Sequence, residues 1–234
     1  MKVYKYSPFD NYPIQNLKNH DLWFSKPSTF KDEWDSNLPV IDCDLEVLTK
    51  KYAEDLSKIP NEQLQGLSPP KGLFETLESK DTNDSSEQTL LKLICDYKDS
   101  FVGISCFTTK LNDQKMWEEY GDNHRGFCLC FETNLDHSFF KDLTEVQYEE
   151  YLSTVNYFSH DLVRELYIQY TTKLKNLVWE EEYRLLKHMS GKFSYNPKCL
   201  TEIILGKNIS HKHSNTINNI LQNSYENQVK ISRN

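Results

Sequence analysis

Met116 to Glu132 reads MWEEYGDNHRGFCLCFE, and it joins a helix, a stop, a polar turn and a strand within seventeen residues. Asn112 is placed to cap a short helix through Met116, Trp117 and Tyr120, and Gly121 stands where a left-handed C-terminal residue is easiest to accommodate. Asp122, Asn123, His124 and Arg125 crowd the turn with hydrogen-bonding groups before Gly126 releases the chain. Alternation then predicts a strand, with Phe127, Leu129 and Phe131 on one face and Cys128 and Cys130 on the other. A polar turn between aromatic anchors has the make-up of a site's mouth. A capped helix joined to a strand accounts for the same residues without any chemistry.

Working outward, Phe101 to Thr109 is β-prone and presents the hydroxyls of Ser105, Thr108 and Thr109 near its end. Val3-Tyr4-Lys5-Tyr6 predicts an opening strand and Leu22-Trp23-Phe24 a second, stopped by Pro8 and Pro27. Beside Phe30 and Trp34, Asp32, Glu33 and Asp35 suit either a cation or the amides of a turn. Helical spacing at Leu45, Leu48, Tyr52 and Leu56, and again at Leu90, Leu91, Ile94 and Tyr97, predicts a helical insertion at about 44–98. Downstream, Val146 and Tyr148 mark a short strand. A long helix from Ser159 or Asp161 would bury Leu162, Leu166, Tyr170, Leu174 and Leu177 or Val178. A strand at Glu202 to Leu205, a helix burying Ile217, Ile220 and Leu221, and an extended Val229 to Ile231 complete the chain. These elements predict an α+β fold: residues 1–234 as a single domain, with a mixed or mostly antiparallel central sheet flanked by helices.

Composition narrows the function. A formal charge of -8 over 234 residues disfavours non-specific nucleic-acid binding, which calls for a basic surface, and suits a small-molecule nucleotide or a protein acceptor as partner. No run approaches a membrane span and the opening residues lack an apolar signal core, so a cytoplasmic protein is expected. Six cysteines without a C-x-x-C pair predict buried thiols rather than a zinc or disulfide framework. His211 and His213 fall among polar residues near a helix start, where solvent exposure is expected over a metal role.

Trp179 to Leu186 carries the sharpest chemical signal. Read as a strand, it puts Glu180, Glu182 and Arg184 on one face, and two like charges so placed have either a cation beside them or a catalytic purpose. A charged strand face laced by Glu and Arg is the plain alternative.

Several separated blocks resemble the bacterial family catalogued as domain of unknown function 2971: Tyr4-Lys5-Tyr6, Leu22-Trp23-Phe24-Ser25 with Pro27, Phe30-x-Asp32-x-Trp34-Asp35, Cys106-Phe107, Met116-Trp117-x-x-Tyr120 with His124 and Gly126, Val146-x-Tyr148, and Glu180-x-Glu182-Tyr183-Arg184. Lys31 and Glu33 replace the family's usual Asn and Pro, Glu119 stands where a His is common, and Leu177 replaces a frequent Trp. A more distant resemblance, in the order of elements, is to the ADP-ribosyltransferases and their split sheet.

That second resemblance implies a nucleotide-binding, NAD-dependent enzyme. It assigns Glu182 to stabilise the oxocarbenium-like centre formed when the nicotinamide bond breaks, and Glu180 to orient or deprotonate the acceptor. It assigns cofactor binding to Tyr4, Tyr6, Ser105, Trp117, His124 and Arg184. Two other readings stay open: a metal-dependent phosphodiesterase using Asp32, Asp35 and Glu182, and a non-catalytic binding or effector module whose E-x-E-x-R set is a structural ion-pair ladder.

Overall fold

A computed structural model describes residues 1–32, 34–38, 102–156, 161–225 and 228–234, and the expected helical insertion at 44–98 lies outside them. The described strands are β1 (Lys2–Ser7), β2 (Asp21–Phe24), β3 (Gly103–Thr108), β4 (Phe127–Glu132), β5 (Thr144–Glu145) and β6 (Gln147–Glu149), followed by β7 (Thr172–Leu174), β8 (Glu182–Lys187), β9 (Gly191–Ser194), β10 (Leu200–Leu205) and β11 (Lys230–Arg233). The described helices, numbered likewise, are α1 (Asn11–Asn19), α2 (Gln114–Glu119), α3 (His137–Phe140), α4 (Leu162–Thr171) and α5 (His211–Ser224).

Phe127 to Phe131 of β4 are all buried, so that strand needs a partner on each edge for its backbone polar groups. It has β1 on one side and β10 on the other, both antiparallel, within a seven-stranded sheet ordered β11-β10-β4-β1-β3-β8-β5. Among the described strands of this sheet only β10 and β11 run parallel, and the crossover such a pair requires is supplied by α5, capped by Ser210 accepting from the His213 amide. The expected mostly antiparallel α+β sheet is what forms.

Register sorts the two faces. Tyr4 lies opposite Cys130 and Tyr6 opposite Cys128, while Val3 faces Phe131 and Lys5 faces Leu129. The Val3, Leu129 and Phe131 side carries the main core, where Leu17 of α1 and Ile217, Ile220 and Leu221 of α5 pack. Each such side chain contributes roughly 1.5–3 kcal/mol on leaving water. The other face holds Tyr6, Cys128, Cys130 and Ile204 under Met116 and Trp117 of α2, with the Tyr6 and Trp117 rings edge to face at 4.9 Å.

The sheet opens beside β3. Tyr4 pairs with Thr108, but at the other end of β3 the partner of Ile104 is Ser25, just after β2. Between these two contacts the Cys106 carbonyl accepts from the Lys5 ammonium at 3.0 Å. A side chain thus completes a strand edge that diverging neighbours would leave unpaired. Strands β2 and β9 form their own two-stranded sheet beyond this opening.

Local departures from the sequence reading have physical causes. Asp113, not Asn112, caps α2, accepting from the Met116 amide at 3.0 Å. Gly121 is not left-handed; Asp122, Asn123 and His124 are, with φ of 50°, 51° and 64°. A Cβ on Gly121 would lie 2.5 Å from the Trp117 ring, so packing explains that glycine. The long helix expected up to Leu177 or Val178 ends at Thr171, because Thr172–Leu174 pairs in parallel with β6 and puts Leu174 in a strand. The 9-residue α1 falls in a stretch too polar to signal a helix.

Candidate functional site

A cleft of about 560 Å³ lies over the opening between β1 and β3. Tyr4, Lys5 and Tyr6 enter it from β1, Cys106, Phe107 and Thr108 from β3, and Tyr120 from just past α2. Asp35, Lys173, Trp179, Glu180 and Glu182 complete the part that carries chemistry.

Glu180 and Glu182 do not share a strand. Glu180 ends a 3-10 turn (Lys175–Glu180), Glu181 is left-handed with φ of 42°, and β8 begins only at Glu182. Glu181 therefore turns outward, where it accepts from the Thr109 hydroxyl, and the acids on either side of it reach the same interior. Both are buried, at 4% and 5% exposure.

Lys173 is the cation between them, 2.5 Å from Glu180 Oε2, 3.0 Å from Glu182 Oε2 and 3.3 Å from Asp35 Oδ2. Arg184, with no exposed surface, lies behind Glu182: its Nε donates to Glu182 Oε1 at 2.7 Å and its Nη2 to Asp35 Oδ1 at 2.6 Å. The remaining guanidinium donor serves Ser36 Oγ and the Tyr170 carbonyl. Tyr120, on the opposite wall, donates to Glu180 Oε1 at 2.6 Å. Among the described residues this cluster thus sets three carboxyl groups against two cations.

The two glutamates titrate apart. Burial pushes both upward, and for Glu180 burial prevails over Lys173 and Tyr120, so its carboxyl sits above the ordinary range. For Glu182, Arg184 and Lys173 together outweigh burial and hold it down at about 2. Lys173 is raised, because Glu182, Asp35 and Glu180 overcome its desolvation. The two members of the pair thus differ in proton affinity.

Among the residues expected from the sequence, Glu182, Glu180, Tyr4 and Tyr6 meet at the cleft, while Ser105, Trp117, His124 and Arg184 are absent from its lining. Ser105 is buried on β3, its hydroxyl without a partner among the described residues. Trp117 is fully buried, with His124 stacked on it at 5.4 Å, and His124 Nδ1 meets the Asn234 side chain at 3.2 Å. Asp35 and Glu182 do converge, but around Lys173 and Arg184, and Asp32 accepts from the Trp34 amide. Among the described residues no three His, Cys, Asp or Glu side chains are grouped to hold a metal ion. His211 is exposed, and His213 stacks on Phe9 at 3.7 Å.

Lys173, Lys5 and Trp179 were missed as site residues. Lys5 carried a readable signal, since alternation puts it with Val3 on the core face, where a lysine is out of place. Lys173 carried none, because the helix expected across it hid the strand that aims it inward.

Comparison with known proteins bears on this same region. Residues 116–231 match the family described as Protein of unknown function (DUF2971). The match supports the family resemblance read from the sequence. No curated protein and no solved structure matches the chain. The DUF2971 segment supplies Tyr120, Lys173, Glu180, Glu182 and Arg184, while Tyr4, Lys5, Tyr6 and Asp35 reach the cleft from outside it. Among the described residues no helix is long and apolar enough to cross a membrane.

Proposed function

We propose that the cleft binds a nucleotide and that the protein is an NAD-dependent, ADP-ribosyltransferase-like enzyme. The observation carrying this reading is the divergence of Glu180 and Glu182 within one cleft, since neighbouring acids with separated proton affinities suit separate roles. Glu182, ionised throughout the neutral range, opposes the positive charge that develops on ribose as the nicotinamide bond breaks. Glu180, raised and hydrogen-bonded to Tyr120, exchanges a proton with the acceptor. The Glu182 carboxylate favours the cationic nicotinamide ring, and Tyr4 offers it aromatic surface, one face of Trp179 being covered by the Lys115 ammonium 3.8 Å from its centroid.

One observation favours a second reading, a non-catalytic binding module. Both oxygens of each glutamate already accept from internal donors, as a structural ion-pair lattice would require. NAD turnover by the wild type and by Glu182→Gln and Glu180→Gln variants of native far-UV circular dichroism separates the two. Loss of turnover in Glu182→Gln supports the transferase. A wild type that consumes no NAD with protein or small-molecule acceptors refutes it, as does a folded Glu182→Gln that matches the wild type.

A further inference from the structure

Lys5 stands apart from the other buried cations. Lys173 and Arg184 are each ringed by carboxylates, whereas among the described residues Lys5 Nζ has only the Cys106 carbonyl, at 3.0 Å, and the Phe107 ring, 5.3 Å to its centroid. No described carboxylate forms an ion pair with it; Glu182, the nearest in effect, is already held by Lys173 and Arg184. Lys5, Cys106 and Phe107 all line the cleft. An ammonium has three donors, and one of them has a partner among the described residues. Burial lowers the Lys5 pKa despite the opposing pull of Cys106 on β3 and Glu182 on β8, which enlarges the free-base fraction relative to an exposed lysine. Desolvation of this kind is a general route to a nucleophilic lysine.

We propose that Lys5 is an amine nucleophile toward carbonyl-bearing ligands, aldehydes and reducing sugars, that enter the cleft. An anionic ligand fits this position less well. A phosphate at Nζ would share its surroundings with the Glu182 carboxylate, whereas a neutral carbonyl carries no charge to oppose it. The lone pair of the Lys5 amine attacks the carbonyl carbon while the oxygen takes up a proton, giving a carbinolamine. Nitrogen gives up its two protons in turn, one for each that the oxygen takes up before it departs as water, so that amine and aldehyde become imine and water without an oxidant or reductant. Glu180, raised by burial and lining the same cleft, is the nearest candidate in character for donating that proton. The inference does not rest on ribosyl transfer, although a ribose freed at its anomeric carbon exposes such a carbonyl on ring opening.

The test incubates the full chain with glycolaldehyde or, separately, ribose 5-phosphate, traps imines with cyanoborohydride and maps adducts by peptide mass spectrometry. Lys5 is expected to label several-fold faster than exposed Lys2 and Lys18, with its labelling starting at lower pH than theirs. Lys5→Arg should remove that fast adduct without changing the circular dichroism. Labelling of Lys5 no faster than that of Lys2 and Lys18 overturns the proposal, and so does a fast adduct that persists in Lys5→Arg. Regioselectivity in the wild type decides the matter even if the variant does not fold.

Discussion

Replacing Arg184 by Met removes the guanidinium but keeps most of its apolar length, so the loss falls on the charge network. Glu182 and Asp35 would each lose a charged partner, at 2.7 and 2.6 Å, and Ser36 and the Tyr170 carbonyl a donor. Removing one member of a buried ion pair generally costs about 3–5 kcal/mol. Glu182 sets an upper figure of similar size, because its fall from 4.5 to about 2 corresponds to about 3.4 kcal/mol at 1.36 kcal/mol per pH unit, a fall that Arg184 shares with Lys173. A depressed carboxyl contributes stability that is complete above the unfolded value of 4.5 and disappears as pH falls through about 2. The gap between wild type and Arg184→Met should therefore be about 3–5 kcal/mol at pH 7 and narrow at pH 4, by roughly 0.8 kcal/mol at most because Lys173 still holds Glu182 down in the variant. Urea unfolding followed by tryptophan fluorescence at both pH values measures it. A gap under about 1 kcal/mol at pH 7 would place the pair in the range of exposed ion pairs, and a gap that widens on acidification would reverse the sign; either refutes the reasoning.

Other perturbations test the frame that carries the cleft. Gly126→Ala would put a Cβ 2.1 Å from the Ser7 carbonyl oxygen, backbone against backbone, so a loss of about 1–3 kcal/mol or more is expected in thermal melts. Tyr225→Phe deletes a buried hydroxyl that donates to the Leu17 carbonyl and meets the Tyr195 hydroxyl, each at 2.7 Å; chemical denaturation should show a loss of about 1–3 kcal/mol. Asp113→Ala removes the cap of α2 and should cost about 1 kcal/mol, and NAD binding by titration calorimetry should weaken with it if Tyr120 needs that helix. Unchanged affinity would detach Tyr120 from the ligand.

The strands were legible because burial and alternation coincide in them. Val3 to Tyr6 and Phe127 to Phe131 announce period-two patterns, and their register brings each face together as the patterns imply. Elements with tertiary causes were not legible. α1 is mostly polar and held by little more than Leu17, and α4 stops where β6 claims Thr172 to Leu174 as a strand. Both are cases of packing overruling local preference. His124 shows the same limit at a candidate site residue: its place in a polar turn suggested the mouth of a site, whereas in the fold its ring covers Trp117.

The acidic pair is the more instructive case, because the residues were found and their geometry was not. Strand alternation would have put Glu180 and Glu182 side by side with the same neighbours. Two such carboxylates have no reason, beyond their mutual repulsion, to differ in proton affinity. The left-handed Glu181 instead separates them onto two elements, so that Arg184 and Lys173 reach Glu182 while Tyr120 and Lys173 reach Glu180. The unlike surroundings follow from that turn, and so does the division of labour proposed for the pair. Glu181 is therefore the position through which backbone conformation controls site chemistry. Glu181→Gly, which relaxes the left-handed turn without touching either acid, should preserve both pKa directions, whereas Glu181→Pro, whose φ is confined near −65°, should abolish the difference between them. Carboxyl titration by NMR distinguishes these outcomes, and equal behaviour of the two variants would show that the turn does not set the pair apart.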